Sequence, residues 1–427
     1  MSASSDSIER RCGSRAATTT GCSGCVATHC RKGLAAARPT RQLGGVTHAR
    51  LAIAMVTAVL GCSAEPATNV PPAQPLGGVA EEFPEPFTGP IRMVELRDGR
   101  VLLMDTRESR LLRLSFADGS ADPITRNGEG PLEYSRSLFR LALAPGDSVW
   151  GYDLRRRRIL VFNPDGNPAR SFSTMVGTGR AAEMGAPWMI AVDSAGGWHG
   201  YGRRVTEEPP FLLPDFVVVR VDTRTGARDT VTQLDSPRSG RTPLGQSIVG
   251  DFEPRDAWAA LSDGRVLVVR GAEYLVELHE RDGRVDTVGR VPYRPVPLTL
   301  ADAERQRDSS AKLLGALVAT AMANIPQLEN RPLPPTHVLP DPLPLHWPLL
   351  EEPEIPVDRR DRAWVRVRTA PFDTGSTRYD LLDRNGRFVT AVAVPARELV
   401  VGFGRGVVYT ARRDADELLW LRRYPAP

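Results

Sequence analysis

Apolar and polar positions alternate in short runs through most of the chain, and the runs repeat. Arg97-Asp98-Gly99-Arg100 is followed by VLLMDTRESRLLRLSF and then Ala117-Asp118-Gly119. Ala144-Pro145-Gly146-Asp147 is followed by SVWGYDLRRRRILVF and then Pro164-Asp165-Gly166. The two segments align nearly residue for residue: Asp105 falls on Asp153, Arg110 on Arg158, and Leu111-Leu112 on Ile159-Leu160. Each reads as a tight glycine turn, an apolar strand ending in aspartate, a polar turn, a second apolar strand and an Asp-Gly turn. Asp-Gly between apolar strands is a strong hairpin signal.

The unit recurs with drift over 189–231, 256–291, 357–395 and 398–424, which makes six units of roughly 40–50 residues. A repeat of that length with about four strands is a propeller blade. A solenoid would show helical periods or an Asn/Leu ladder, and a sandwich would hold far fewer strands. The sequence therefore predicts an all-β fold, a six-bladed β-propeller over residues 85–427. The last unit is short of a fourth strand, so the segment near 83–90 is expected to complete it and latch the ring.

One stretch interrupts the strands. In residues 299–323, Leu313, Leu314, Leu317, Ala321 and Met322 follow a helical spacing, and Thr299 with Asp302 resembles a helix-start box. Pro332, Pro334, Pro335, Pro340, Pro342, Pro344, Pro348, Pro353 and Pro356 follow. Residues 299–352 are read as a helical and proline-rich insertion between the fourth and fifth blades. Its Leu343, Leu345, Trp347 and Leu349 are expected to pack on the body.

The first part of the chain is different in kind. Leu51–Leu60 is an unbroken apolar run after Arg50, too short to span a bilayer and suited to a signal-peptide core. Val59-Leu60-Gly61-Cys62 resembles the lipobox of bacterial lipoproteins, which implies lipid attachment at Cys62 and a membrane anchor. Ser63 after the cysteine implies an outer-membrane destination facing the periplasm. Residues 1–61 are thus expected to be a disordered leader and signal peptide, with translation starting near Val46. Residues 62–84, rich in proline, are expected to be a tether.

Charge and cysteine divide the chain at the same place. The segment before Cys62 carries eight basic and two acidic residues, although the whole chain is only +4, so the body is close to −2. That balance gives no electrostatic footprint for nucleic acid. The five cysteines, Cys12, Cys22, Cys25, Cys30 and Cys62, all precede the body, which excludes disulfides and a thiol nucleophile there. Cys22-x-x-Cys25…His29-Cys30 has metal-like spacing but no core to hold it.

At the level of motif, Arg126-Asn127-Gly128-Glu129-Gly130-Pro131-Leu132-Glu133-Tyr134 resembles the Gly-x-Gly-x-Gly-Pro-Gly-Glu-Phe loop of bacterial six-bladed propellers related to NHL-repeat proteins, with Leu132 replacing a glycine. The Asp153…Arg158-Ile159 unit and Trp364-Val365-Arg366 resemble the same group. The resemblance implies a blade-connecting turn rather than a phosphate loop, since no Lys-Ser/Thr and no helix follow. The run Arg155–Arg158 is read as a solvated turn.

The candidate chemistry is sparse. The histidines are scattered and support no triad. Lactonase-like propellers hold a divalent cation such as calcium in the central channel with Glu, Asn and Asp. Here the inner strands read IRMVEL, RLALAP, MIAVDS, AWAALS, IPVDRR and ELVVGF, and only Glu95, Asp193 and Asp358 are candidates. The competing reading is a monomeric binding or scaffold module without a cofactor, for a protein, glycan or small-molecule ligand. Its candidate contacts are charges on inter-blade loops: Arg136, Glu183, Arg255, Glu354 and Arg397. This binding reading is preferred, with the metal-dependent hydrolase as the alternative.

Overall fold

The computed structural model describes residues 69–136, 138–174, 188–203, 216–235, 250–324, 338–372 and 375–427. Residues 1–61, expected to be a leader and signal peptide, the cysteines among them, Cys62 and Glu183 lie outside the described residues.

The described strands form six four-stranded sheets, each largely a meander, as the repeat predicts. The first blade is β3 (Ile91–Glu95), β4 (Val101–Asp105), β5 (Arg110–Leu114) and β6 (Ala121–Pro123). The second is β7 (Leu138–Leu143), β8 (Val149–Asp153), β9 (Arg158–Phe162) and β10 (Pro168–Ser173). The third is β11 (Trp188–Val192), β12 (Gly197–Arg203), β13 (Phe216–Asp222) and β14 (Arg228–Leu234). The fourth is β15 (Ala257–Ala260), β16 (Val266–Arg270), β17 (Leu275–His279) and β18 (Val285–Arg290). Strands β19 (Ala363–Val367), β20 (Thr377–Leu382) and β21 (Phe388–Val394) build the fifth, and β22 (Glu398–Phe403), β23 (Val407–Arg413) and β24 (Leu419–Pro425) the sixth.

The physical logic is packing on both sheet faces. Every residue of β4 and of β8 is buried, whereas the outer strands β10 and β18 are largely open to solvent. Hydrophobic clusters lie between successive blades all the way round. Leu102, Met104, Leu138 and Leu160 join the first to the second, and Tyr152, Ile159, Met189 and Trp198 the second to the third. Val218, Trp258 and Val268 join the third to the fourth. Leu267, Val276 and Val365 continue to the fifth, and Trp364, Val392 and Tyr424 to the sixth. Phe83, Leu103, Tyr409 and Leu421 close the ring back onto the first. The turns use the predicted glycines: Gly99 and Gly166 have φ of 86° and 81°, a region that costs other residues strain.

The aspartates that align in the repeat share a task. Asp105 accepts from the amides of Arg107 (3.1 Å) and Glu108 (3.2 Å), and Asp153 from the amide of Arg156 (3.3 Å). Each therefore ties down the turn that follows its strand.

Closure comes from upstream of the first blade, and from further upstream than expected. β2 (Glu81–Glu82) pairs with β24, and Phe87 bridges Leu419, so the sixth blade is completed by residues 81–87. β1 (Gln74–Pro75) pairs in parallel with β21. Residues 74–82, whose prolines suggested a tether, thus add strands to two blades. Strands of two residues are too short to show a period.

The fifth blade departs from the others at its inner edge. Pro353 accepts from the Trp258 amide (2.9 Å) and Ile355 donates to the Trp258 carbonyl (2.8 Å). Two residues on, Val357 bridges Ala363 and Pro356 accepts from the Trp364 amide (2.9 Å). The IPVDRR segment therefore takes the innermost place between β15 and β19, although it is too irregular to form a named strand.

Helix α1 (Leu300–Asn324) leaves β18 as a single helix. Thr299 caps it, its hydroxyl accepting from the Asp302 amide at 3.2 Å. Ala303 packs with Phe252, Val296, Leu298 and Trp347 in a small separate core. The return path packs on the body through Trp347 and Leu349, but Leu345, whose backbone pairs with Leu298, leaves its side chain 80% exposed, contrary to expectation. No described helix is long and apolar enough to cross a membrane.

Candidate functional site

The geometry places a charged cluster at one mouth of the central channel. Arg92 is the second residue of β3, and Arg140 lies in β7. From the far side come Glu351, Glu352 and Glu354, on the segment that descends toward the inner edge of the fifth blade. Arg140 pairs with Glu354. Glu354 bridges Trp258 at the inner edge of the fourth blade, where the segment passes to the fifth, so this ion pair reaches from the second blade to the far side of the channel.

Around it, Arg366 pairs with Glu351 at 2.8 Å and Glu352 at 3.0 Å, and Arg368 with Glu351 at 3.3 Å. Arg255 donates to the Glu351 carbonyl at 3.2 Å. Burial pushes the guanidinium of Arg140 down to about 10, with repulsion from Arg92 adding to it. Burial also lowers Arg92 and Arg255 from the usual arginine range, opposed by Glu352 and by Asp251 respectively. The third blade contributes Tyr201, whose phenol is pushed up by burial and which meets Trp258 edge to face at 5.5 Å. A cleft of about 250 Å3 opens beside the mouth, lined by Glu351, Arg366, Arg368 and Phe372 among others.

Of the loop charges expected at a binding face, Arg255 and Glu354 do meet here. Arg136 is exposed in the turn before β7, and Arg397 is bound to the Asp414 carbonyl at 2.7 Å, away from the cluster. Arg92, Arg140 and Arg366 were missed. The available signal was an arginine set alone among apolar residues of a strand, as in IRMVE and AWVRV.

The three carboxylates expected to line the channel do not converge. Each sits at the turn between a blade's first two strands, at the opposite mouth. Glu95 accepts from the Tyr409 hydroxyl and the Arg405 amide, both at 2.7 Å. Asp193 accepts from the Gly197 amide (2.8 Å), Arg220 (3.1 Å) and His199 (3.3 Å). Burial alone would raise Asp193, but the His199 and Gly197 hydrogen bonds and the charge of Arg220 hold it at about 2. Asp358 accepts from Arg362 at 2.7 Å and the Trp364 indole at 3.1 Å. Arg359 donates to the Glu95 carbonyl at 2.7 Å, linking turns of the fifth and first blades across this lower opening. Among the described residues, no group of three or more His, Cys, Asp or Glu is placed to hold a metal ion.

The motif loop at 126–134 joins the first two blades, as its resemblance implies. Tyr134 donates to the Ser109 carbonyl (2.8 Å) and accepts from the Leu111 amide (3.1 Å). Glu133 accepts from the Gly130 amide at 2.7 Å. Arg158 is not a solvated turn residue: it donates to the carbonyls of Gly130, Pro131 and Glu133 and so holds this loop.

No family model matches the chain, and no curated protein matches it. Solved structures do. A gluconolactonase from Xanthomonas campestris is 13% identical, covering 83% of this chain and 97% of its own, with a TM-score of 0.39. A member of the DUF4221 family from Bacteroides vulgatus is 12% identical, covering 82% and 96%, with a TM-score of 0.42. Virginiamycin B lyase from Staphylococcus aureus is 12% identical, covering 79% and 85%, with a TM-score of 0.34. At this identity and score no residue role passes from these proteins to this chain.

Proposed function

We propose that this protein is a lipid-anchored binding module of the bacterial cell envelope, tethered through Cys62, whose propeller receives a small polar ligand at the upper channel mouth. The observation that carries the reading is the ion pair of Arg140 with Glu354 across the channel, within a cluster supplied by four blades. Strands β3, β7 and β19 fix Arg92, Arg140 and Arg366 against the segment at 351–354, and preorganised charges at a concave opening suit recognition of a polar group. The metal-dependent hydrolase reading is less well supported, since Asp193 and Asp358 are engaged within their own blades and Glu95 is held by Tyr409 and Arg405 of the sixth.

The test is a thermal melt of the full chain with divalent cations, with chelator, and with a panel of neutral and acidic sugars. A ligand that binds only the native state raises apparent stability by mass action. Stabilisation by a sugar, with the shift diminished in Arg140→Met, supports the binding module. A chelator-sensitive shift with no sugar effect would favour the hydrolase. Palmitate labelling in cells tests the anchor: incorporation in the wild type and none in Cys62→Ala is expected.

A further inference from the structure

The carboxylates at the upper mouth are already committed. Glu354 is paired with Arg140, Glu351 with Arg366 and Arg368, and Glu352 with Arg366. Arg92 is left over. Its one hydrogen bond is to the neighbouring Ile91 carbonyl at 3.2 Å, and among the described residues it has no carboxylate within ion-pair distance. Glu352 acts on it only at longer range. Arg140 beside it keeps a buried Nε without an acceptor. Two guanidiniums therefore share a recess that holds one committed carboxylate.

We infer that Arg92 and Arg140 form a receptor for an oxyanion, the carboxylate or phosphate group of a small ligand entering from the upper mouth. This rests on the mouth being the binding site and adds the chemistry of what binds. A cation held away from water is costly without a counter-charge. Guanidinium presents a planar fork of N–H donors that matches carboxylate and phosphate oxygens. The recess also limits the partner. Arg140 has a side-chain exposure of 18%, so a small group can reach it and a duplex or a flat protein surface cannot. Glu352, with a side-chain exposure of 55%, is the more exposed partner of Arg366, and by leaving that pair it would swing toward Arg92 and compete with the ligand.

The test is calorimetric titration of the full chain, in detergent, with glucuronate or inorganic phosphate against chloride at matched ionic strength, with glucose as the neutral control. The two anions distinguish a carboxylate source from a phosphate source. Saturable uptake of at least one of them is expected, weakened tenfold or more in Arg92→Met, less in Arg92→Lys, and tightened in Glu352→Gln. Arg92→Met is expected to melt no lower than the wild type, because the cation it removes has no carboxylate partner among the described residues. A marked loss of folding in Arg92→Met would contradict that premise and overturn the inference. So would equal affinity in Arg92→Met and wild type, or no uptake of either anion. Binding of glucose without either anion would defeat the oxyanion receptor and leave the binding module standing; no binding by any member of the wider sugar panel would defeat both.

Discussion

Arg92 and Arg140 occupy the same place in successive blades. Arg92 lies opposite Met104, the residue before Asp105, and Arg140 opposite Tyr152, the residue before Asp153. A bulge between Leu138 and Arg140 takes up the one-residue difference in length. The repeat thus delivers two arginines side by side to the channel, and only the second meets a carboxylate. This pairing is the basis of the predictions about the mouth.

The Arg140–Glu354 pair predicts an asymmetry. Arg140→Met leaves Glu354 without its partner and is expected to cost about 1–3 kcal/mol, because a partly buried charge loses its counter-ion. The double change Arg140→Met with Glu354→Gln is expected to recover much of that. A double-mutant cycle from urea melts measures the coupling.

Ring closure predicts a second effect. Phe83 is fully buried, packs edge to face on Phe116 at 5.5 Å, and follows the strand that completes the sixth blade. Phe83→Ala is expected to lose about 3–5 kcal/mol. Hydrogen exchange is expected to show faster opening of β24 before the blades opposite.

The inter-blade loop makes a third. Tyr134→Phe keeps the ring and removes the hydroxyl that accepts from the buried Leu111 amide. A loss of about 1–3 kcal/mol is expected for the unsatisfied amide. Near-neutral stability in denaturant melts would show that water reaches the site.

Acid sensitivity follows from His199. It is fully buried, and burial holds its imidazole below the ordinary value despite the hydrogen bond it donates to Asp193. As pH falls below about 6.5 the unfolded chain takes up a proton that the folded chain does not. Stability is therefore lost on acidification, by about 1.4 kcal/mol per pH unit for this one group, until the lowered folded value is reached. His279, lowered by burial too, adds to the same trend. Melts from pH 8 to pH 5 are expected to show a shallower slope in His199→Gln.

Much of the fold was legible because its devices are local. Asp105 and Asp153 align in the sequence and tie the same turn, and Tyr134 reads correctly as part of a blade connection. Strands β1 and β2 were not legible, since two residues carry no alternation and their partners lie some 300 or more positions away. The mouth was legible only in fragments. Arg255 and Glu354 stand out as loop charges, whereas Arg92 and Arg140 sit inside apolar strands and gain meaning only once the ring sets them against the segment at 351–354. Glu95, Asp193 and Asp358 misled for the converse reason. Position along a strand does not say which neighbour a carboxylate will satisfy: Asp193 and Asp358 are consumed by their own turns, and Glu95 by the sixth blade.

The most direct test of the mouth as an anion receptor is an anomalous difference map from crystals of the protein grown with selenate. Selenium density is expected within hydrogen-bond reach of both Arg92 and Arg140. Selenate found only on exposed surface arginines, with the recess beside Arg92 empty at saturating concentration, would contradict it.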